Sequence, residues 1–199
     1  SVGAQAVNHV VNKLMLALFA PSRPFMRLEA DAKWLATLPQ ELDKSKIDEA
    51  LSQAELEAVK AMDGIQGTRA KLYLSLANLV ALGNVCIHLP KEKGVPPRIY
   101  NVAQYVARRT GAGDLKQAII RECLAFDELE PKVQQAVKAG SEGSRYQPDT
   151  KVEYFRQICR NDKGGYELYQ YVDKVKLGAE FEGRWAEEAS LEWRSLRGT

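Results

Sequence analysis

The chain has 199 residues, of which 45% are hydrophobic, 27% charged and 8% aromatic. This composition is typical of a globular protein and excludes disordered and collagen-like chains. A chain of this length buries a core large enough to fold as one domain, or as two small packed ones. The formal net charge is only +2, so no strong field is available to attract nucleic acid or a membrane surface.

Cysteine usage and apolar runs bear on the folding compartment. Cys86, Cys123 and Cys159 are widely spaced, and each lies beside apolar residues. This pattern favours reduced, buried thiols over a disulfide framework or a zinc knuckle, and it predicts folding in the cytoplasm. The longest apolar stretch, Leu14 to Ala20, is too short to cross a bilayer. The amino terminus shows neither a signal-peptide pattern nor a Met, so we expect the chain to be part of a longer protein.

Helical patterns come first along the chain. Apolar residues recur at helical spacing from Ala4 to Phe19, and Pro21 and Pro24 then end the predicted helix. A brief alternation over residues 25–28 predicts a short strand. Asp31 is placed to cap the short helix that follows it.

Two longer helices are predicted next. The motif Ser45-x-x-Asp48 resembles a capping box and begins a helix to Ala61 with a narrow face of small residues, which suits close packing against another helix. Thr68 is placed to cap the following helix, which we expect to be the most buried one because its apolar stripe is wide. Gly83-Asn84 predicts a left-handed exit from that helix.

From Val85 onward the hydrophobic period changes from 3.6 toward 2. A β-branched run closed by Pro90 predicts one strand. Residues 99–109 and 115–126 then predict a hairpin across residues 110–114, where glycines supply the positive φ that a tight turn needs.

The remaining carboxyl-terminal part continues the strand pattern. A short helix is predicted over residues 130–139, where Gly140 ends it. Residues 151–160 and 166–177 predict a second hairpin across a glycine-containing turn. The later residues contain aromatic side chains without a regular period, so no element is predicted there.

Helices first and strands second predict an α+β protein. We expect a mainly helical part over residues 1–84 and a β-rich part over residues 85–199. In the last predicted strand, alternation places Tyr166 on one face and Tyr169 and Tyr171 on the other. This arrangement is expected of a strand packed on both faces, or of one at an oligomer contact.

The sequence contains no recognisable motif of a catalytic or metal site. His9 and His88 have no second ligand three or four residues away. Gly111-x-Gly113 lies inside a predicted hairpin and does not open a helix, which rejects a dinucleotide-binding fingerprint. No Ser or Cys nucleophile has a recognisable base. We therefore expect no enzyme and no cofactor, and an enzyme site built from residues interpreted as structural is the least favoured alternative.

Arg98, Arg108 and Arg109 are the best candidates for contact with DNA. Arg108 and Arg109 lie together at a predicted hairpin tip, with Tyr105 nearby in sequence. Paired arginines at a strand end also serve solubility, and binding through counterion release normally needs more clustered charge. A stand-alone nucleic-acid-binding module using these residues is therefore kept as the alternative function.

Several motifs share an order and spacing that is typical of one family. The motifs are Ser1 to Asn8, Lys13 to Phe19, Pro24 to Leu28, Leu82 to Val85 with Ile87 to Pro90, Tyr105-Val106-x-Arg108-Arg109 with Gly113, and Tyr166 to Tyr171. Over most of residues 1–177 the chain resembles the head-to-tail connecting proteins, or portal proteins, of short-tailed bacteriophages.

This resemblance implies a structural subunit of a ring, usually of twelve copies, that replaces one pentamer at a capsid vertex. Such rings pass double-stranded DNA inward under the terminase packaging motor, hold it, and release it at infection. Their other partners are the major capsid protein and the tail adaptor, and no membrane is involved. The subunit is not itself the motor. Its implied location is the virion, at the portal vertex, after assembly in the host cytoplasm.

Portal proteins are considerably longer than this chain. The resemblance implies that these residues form mainly the peripheral wing, an α+β region with a small β-barrel, and that the stem, clip and crown lie beyond Thr199. Ring closure requires a head-to-tail surface on each subunit. Ala54 and Ala58 on the small-residue helix face, with Tyr169 and Tyr171, are candidates for that contact, and packing inside the subunit is the equal alternative.

Overall fold

The computed structural model describes residues 2–21, 23–37, 44–140 and 145–197. Helices occupy the amino-terminal part and antiparallel strands follow, which confirms the predicted α+β class. The helices are α1 (Val2–Leu18), α2 (Ala32–Thr37), α3 (Lys44–Gly64), α4 (Thr68–Leu82) and α5 (Pro131–Lys138). The strands are β1 (Asn84–His88), β2 (Arg98–Tyr100), β3 (Tyr105–Arg109), β4 (Leu115–Ala125), β5 (Lys151–Arg160), β6 (Tyr166–Val172), β7 (Val175–Lys176), β8 (Gly183–Trp185) and β9 (Trp193–Arg197).

The chain divides into two compact units, the first with α1 to α4 and residues 89–99, the second with residues 84–88 and 100–196. In the first unit α1 packs against α4. Arg69 on α4 ties the residues after α1 to this pair, because its Nη1 donates a 2.6 Å hydrogen bond to the carbonyl oxygen of Phe19. The same guanidinium forms an ion pair with Asp63 at the end of α3.

The helix ends follow the predicted signals only in part. Asp31 Oδ1 accepts a hydrogen bond from the Lys33 amide, which confirms the predicted cap of α2. Gly83 ends α4 with a φ of 72°, as a left-handed exit requires. The predicted cap at Thr68 is wrong: Gly67, with a φ of 82°, precedes α4, and the buried Thr68 hydroxyl has no hydrogen-bond partner among the described residues.

Two further expectations for the first unit are wrong. Residues 25–28 form bends and irregular backbone instead of a strand, because no described strand pairs with them and an isolated strand is not stable. The many apolar residues of α4 do not make it the most buried helix. Its Leu74 and Leu82 are 44% and 47% exposed, whereas the shorter α5 fully buries Val133 and Val137.

The strands form two open sheets. The larger one has the order β3-β4-β5-β6-β7, with β8 also paired to β6, and the smaller one has the order β2-β1-β9. Both predicted hairpins are confirmed by the antiparallel registers of β3 with β4 and of β5 with β6. The expected small barrel is wrong, because β3 and β7 end the larger sheet without pairing to each other.

Local turns interrupt two of the predicted strands. The run over residues 99–109 breaks between β2 and β3, where Asn101 Oδ1 accepts a 2.9 Å hydrogen bond from the Ala103 amide. An asparagine side chain that binds the backbone two residues on stabilises such a turn. The run over residues 166–177 breaks at Asp173, which has a φ of 50°.

Alternation along the strands of the larger sheet produces one buried face. Its core residues form two clusters. The first contains Cys86, Tyr100, Tyr105, Leu115, Ala118, Ile120, Ile158, Tyr166, Leu168, Leu191 and Trp193. The second contains Phe126, Leu129, Val133, Val137, Tyr146, Val152, Tyr154, Val172 and Leu177. The clusters therefore cover one face of the sheet with α5 at one end and with β1, β2 and β9 at the other.

Replacing Ile158 by alanine tests this assignment of the buried face. Ile158 is fully buried, so Ile158→Ala should lower the free energy of unfolding by about 2–5 kcal/mol. The control Val106→Ala removes an aliphatic side chain that is 71% exposed and should change it by less than about 0.5 kcal/mol. Urea unfolding followed by circular dichroism measures both, and equal losses would contradict the assignment.

Candidate functional site

The larger sheet has a second face that contributes no residue to either core cluster, and we call it the outer face. Its residues are Val106 and Arg108 on β3; Lys116, Gln117, Ile119, Arg121 and Cys123 on β4; Glu153, Phe155, Gln157 and Cys159 on β5; and Glu167, Tyr169 and Tyr171 on β6. Because its side chains are exposed or only partly buried, this face is the candidate surface for contact with other molecules.

The structure places the predicted arginines in different environments. Arg98 is exposed at the start of β2. Arg108 is exposed on the outer face, whereas Arg109, its neighbour, lies on the opposite face and is 13% exposed. Contact of these residues with DNA stays a prediction, but Arg109 already has internal partners.

Arg109 and Glu188 join the first hairpin to the carboxyl-terminal part of the second unit. The Arg109 guanidinium donates to the carbonyl oxygens of Gly113 at 2.8 Å and Ser195 at 3.0 Å, and it lies 3.2 Å from Glu188 Oε1. The other Glu188 oxygen accepts a 2.9 Å hydrogen bond from the Leu115 amide. Burial opposes the charge of Glu188, but these donors outweigh burial and lower its pKa.

A second ion pair lies on the buried face, where Glu122 and Arg156 are only 12% and 11% exposed. The Tyr100 hydroxyl donates a 3.3 Å hydrogen bond to Glu122, and the Arg156 guanidinium stacks 4.3 Å from the Tyr154 ring centroid. Burial opposes the charge of Arg156, but Tyr154 and Glu122 outweigh it and raise the pKa of Arg156. The pair therefore satisfies charges that would otherwise be costly inside the unit.

Sequence reasoning missed both ion pairs. Arg109 and Glu188 are 79 residues apart in the sequence, so no local pattern connects them. The Glu122 and Arg156 pair did leave a signal. Glu122 follows the buried Ile120 by two residues, and Arg156 precedes the buried Ile158 by two, so strand alternation placed both charges on the apolar face.

Subunit contact through Ala54, Ala58, Tyr169 and Tyr171 stays a prediction. Tyr169 and Tyr171 lie on the outer face, opposite Tyr166, as alternation predicted. The Tyr169 hydroxyl donates a 2.6 Å hydrogen bond to Glu167, and this bond raises the pKa of Tyr169 to about 12. Ala54 is exposed and Ala58 partly buried on α3, so a contact there stays a prediction.

The cysteines and His88 lie in different environments. Cys86 is buried, and burial raises the pKa of its thiol to about 12. The expectation of three buried thiols is wrong for Cys123, which is exposed on the outer face.

His88 stacks on Trp193, and its Nε2 lies 3.2 Å from Glu192 Oε2. Within the described ranges, no group of His, Cys, Asp and Glu has the arrangement of a metal site, and no described helix is long and apolar enough to span a membrane.

Comparison with known proteins defines the class. Residues 1–193 match the family of the bacteriophage head to tail connecting protein, and the chain belongs to this family. This result confirms the resemblance found in the sequence motifs.

Three portal proteins are similar to the chain over most of its length. The portal protein of Escherichia phage T7 is 32% identical over 195 residues, which is 95% of this chain and 35% of that protein. For the portal protein of Enterobacteria phage T3 the identity is 31% over 183 residues, 89% of this chain and 33% of that protein. For that of Enterobacteria phage SP6 it is 28% over 180 residues, 90% of this chain and 34% of that protein. The chain therefore spans about a third of the length of the curated relatives that it matches.

Replacing Glu188 by glutamine should make unfolding less dependent on pH. A glutamate whose pKa is lowered by folding stabilises the folded state above its ordinary pKa of about 4.3, and this contribution is lost as the pH falls through the lower folded value. At pH 7 the free energy of unfolding of the native protein should therefore exceed that of Glu188→Gln by about 1 kcal/mol. This value is modest because Glu188 is 39% exposed. Denaturant titrations of both proteins at pH 7 and pH 3 measure this difference in the free energy of unfolding. A difference that is the same at both pH values would contradict the prediction.

The buried ion pair should show strong coupling between its two members. Glu122→Leu leaves Arg156 without its carboxylate inside the unit, which should cost about 3–5 kcal/mol of stability. The double variant Glu122→Leu/Arg156→Met removes both charges and should recover most of that loss. Urea unfolding of the two single variants and the double variant completes the cycle. Additive losses in the double variant would show that the pair is not coupled.

Proposed function

We propose that this chain is part of a structural subunit of a bacteriophage portal ring, the connector between head and tail. The observation that carries the proposal is the family match over residues 1–193. The similar relatives are named portal proteins, and the chain aligns with them over 89–95% of its length. The proposed role is geometric: the ring forms the channel at one capsid vertex for DNA packaging and ejection, and the subunit performs no catalysis.

The proposed partners follow from that role. The subunit joins a ring of about twelve copies that contacts the major capsid protein, the tail adaptor and the terminase packaging motor, with double-stranded DNA passing through the channel. The location is the portal vertex of the virion, after assembly in the host cytoplasm. A cyclic ring needs a head-to-tail surface, in which one patch of a subunit meets a different patch of the next.

Within the longer subunit, we place these residues in the peripheral wing. Residues 1–84 supply its mainly helical part and residues 85–199 its β-rich part. Because the chain spans about a third of the relatives' length, the stem, clip and crown belong to the remaining part of the full protein.

Two features support a head-to-tail contact through the predicted residues. Ala54 and Ala58 lie one turn apart on α3, where small side chains permit close approach of another helix. Tyr171 is partly exposed on the outer face, and tyrosine is enriched at protein interfaces. We propose that each of these two patches meets a neighbouring subunit.

Native mass spectrometry of the full-length protein tests the ring. The expected species is a closed oligomer of about twelve subunits. A monomer that persists at high protein concentration would remove the proposal.

A matched pair of variants tests the helix patch. Ala54→Arg places a large charged side chain on the small-residue face and should reduce the fraction of closed rings severalfold. Ser52→Arg adds the same side chain to an exposed position of α3, about 160° around the helix, and should leave the rings intact. Equal ring fractions for the two variants would show that the Ala54 face is not a contact.

A further inference from the structure

A cluster of positive charge lies at the end of the larger sheet where β3 ends and β4 begins. Arg108 comes from β3, Lys116 from β4 and Arg160 from the end of β5. Together with Gln117, Cys159 and Asn161, these residues line an open depression of about 350 Å³. Strand pairing therefore gathers three cations that are distant in the sequence.

A β-bulge explains why Lys116 joins this cluster. Arg108 pairs with Gln117, whereas Arg109 pairs with Leu115, so Lys116 has no pairing partner on β3. The extra residue of a bulge shifts the alternation of side chains by one position. As a result Lys116 and Gln117 both line the depression, while Leu115 and Ala118 on either side of them are buried.

The nearby carboxylates offset only part of this positive charge. The described residues supply no side-chain hydrogen bond or ion pair to Arg108 or Lys116. Arg160 lies 3.5 Å from Asp114, but the two side chains are 39% and 56% exposed, and such pairs contribute little. Arg121, which is on the outer face, does not line the depression, and its pair with Glu153 is equally long and exposed.

A further carboxylate, that of Glu167, lies next to a residue that lines the depression. Glu167 is opposite Cys159 on β6. It accepts a 2.6 Å hydrogen bond from Tyr169 and a 3.5 Å one from Asn161 Nδ2. These neutral donors keep Glu167 ionised, and its single negative charge offsets the three cations only in part.

We propose that this depression binds phosphate groups of a nucleic-acid backbone. Guanidinium and ammonium groups with an adjacent side-chain amide are the donors that phosphates favour. Arg108 and Arg160 stand two strand spacings apart, roughly 10 Å, and along that length of B-DNA each strand presents about three phosphates. The choice of nucleic acid as the polyanion rests on the proposed function, a portal ring at the vertex of a capsid that is filled with DNA.

The site differs from the one that sequence reasoning predicted. Of Arg98, Arg108 and Arg109, only Arg108 lines the depression. Lys116 and Arg160 take part because of the bulge and of the pairing of β4 with β5, which no local motif reveals. Three phosphate contacts give weak binding without sequence preference.

Fluorescence anisotropy with a labelled 20-base-pair DNA duplex tests the site on the 199-residue chain. Three phosphate contacts predict that raising the salt from 50 to 200 mM weakens binding about 40-fold. Each of the variants Arg108→Gln, Lys116→Gln and Arg160→Gln should reduce the slope of log affinity against log salt by about 0.9. The matched controls Arg121→Gln and Lys132→Gln remove exposed charges elsewhere and should leave the slope unchanged. Circular dichroism confirms that each variant is folded.

Several results would contradict the proposed phosphate-binding site. Two are the absence of duplex binding at 50 mM salt and a salt slope in the cluster variants that equals the slope of the controls. Two others are saturable binding of inorganic phosphate without binding of the duplex, and displacement of the duplex by polyglutamate at equal charge. The last result would indicate an acidic protein partner.

Ring formation is measured separately. Native mass spectrometry gives the oligomer mass of the full-length protein that carries Arg108→Gln, Lys116→Gln and Arg160→Gln together. The expected result is an intact ring that has lost binding at this site, since the substitutions avoid the proposed subunit contacts. Unchanged duplex affinity in the triple variant overturns the phosphate site whether or not the ring forms. Absence of a ring in the unsubstituted protein overturns the proposed function instead.

Discussion

The pairing of β4 with β5 is the constraint on which the second unit depends. Its antiparallel register runs from Gln117 opposite Cys159 to Ala125 opposite Lys151. Because side chains alternate along a strand, this register alone decides which residues enter the core. A slip by one residue would move the apolar set to the solvent side and the charged set into the core. The buried clusters and the outer face are therefore two consequences of one register.

The same register separates two kinds of charge. On the buried face, Glu122 and Arg156 lie close enough to neutralise each other, so the core tolerates them without requiring a ligand. On the outer face, Arg108 and Lys116 have no side-chain partner among the described residues, whereas Tyr169 and Tyr171 lie farther across the sheet on β6. In this account the buried face supplies stability, and the outer face meets other molecules.

Local patterns predicted the elements whose causes are local. The span of α1 and the two hairpins follow from periodicity and turn glycines, and Asp31 acts as the predicted cap. Predictions failed where the cause lies elsewhere in the chain. The Thr68 hydroxyl is buried without a cap bond, residues 25–28 have no described strand to pair with, and the bulge at Lys116 changes which side chains share a face. The proposed function was inferred from the order of the motifs, because a geometric role requires no reactive group that composition or spacing could reveal.

We propose that this fold is a wall element of a ring, stabilised by its own buried face and joined to other molecules through its surface patches. An electron cryomicroscopy reconstruction of the assembled full-length protein tests it most directly. The account predicts a closed ring around a central opening, with Tyr171 against a neighbouring subunit and Lys116 not covered by protein. A ring in which a neighbouring subunit covers Lys116, while Tyr171 faces solvent, would contradict it.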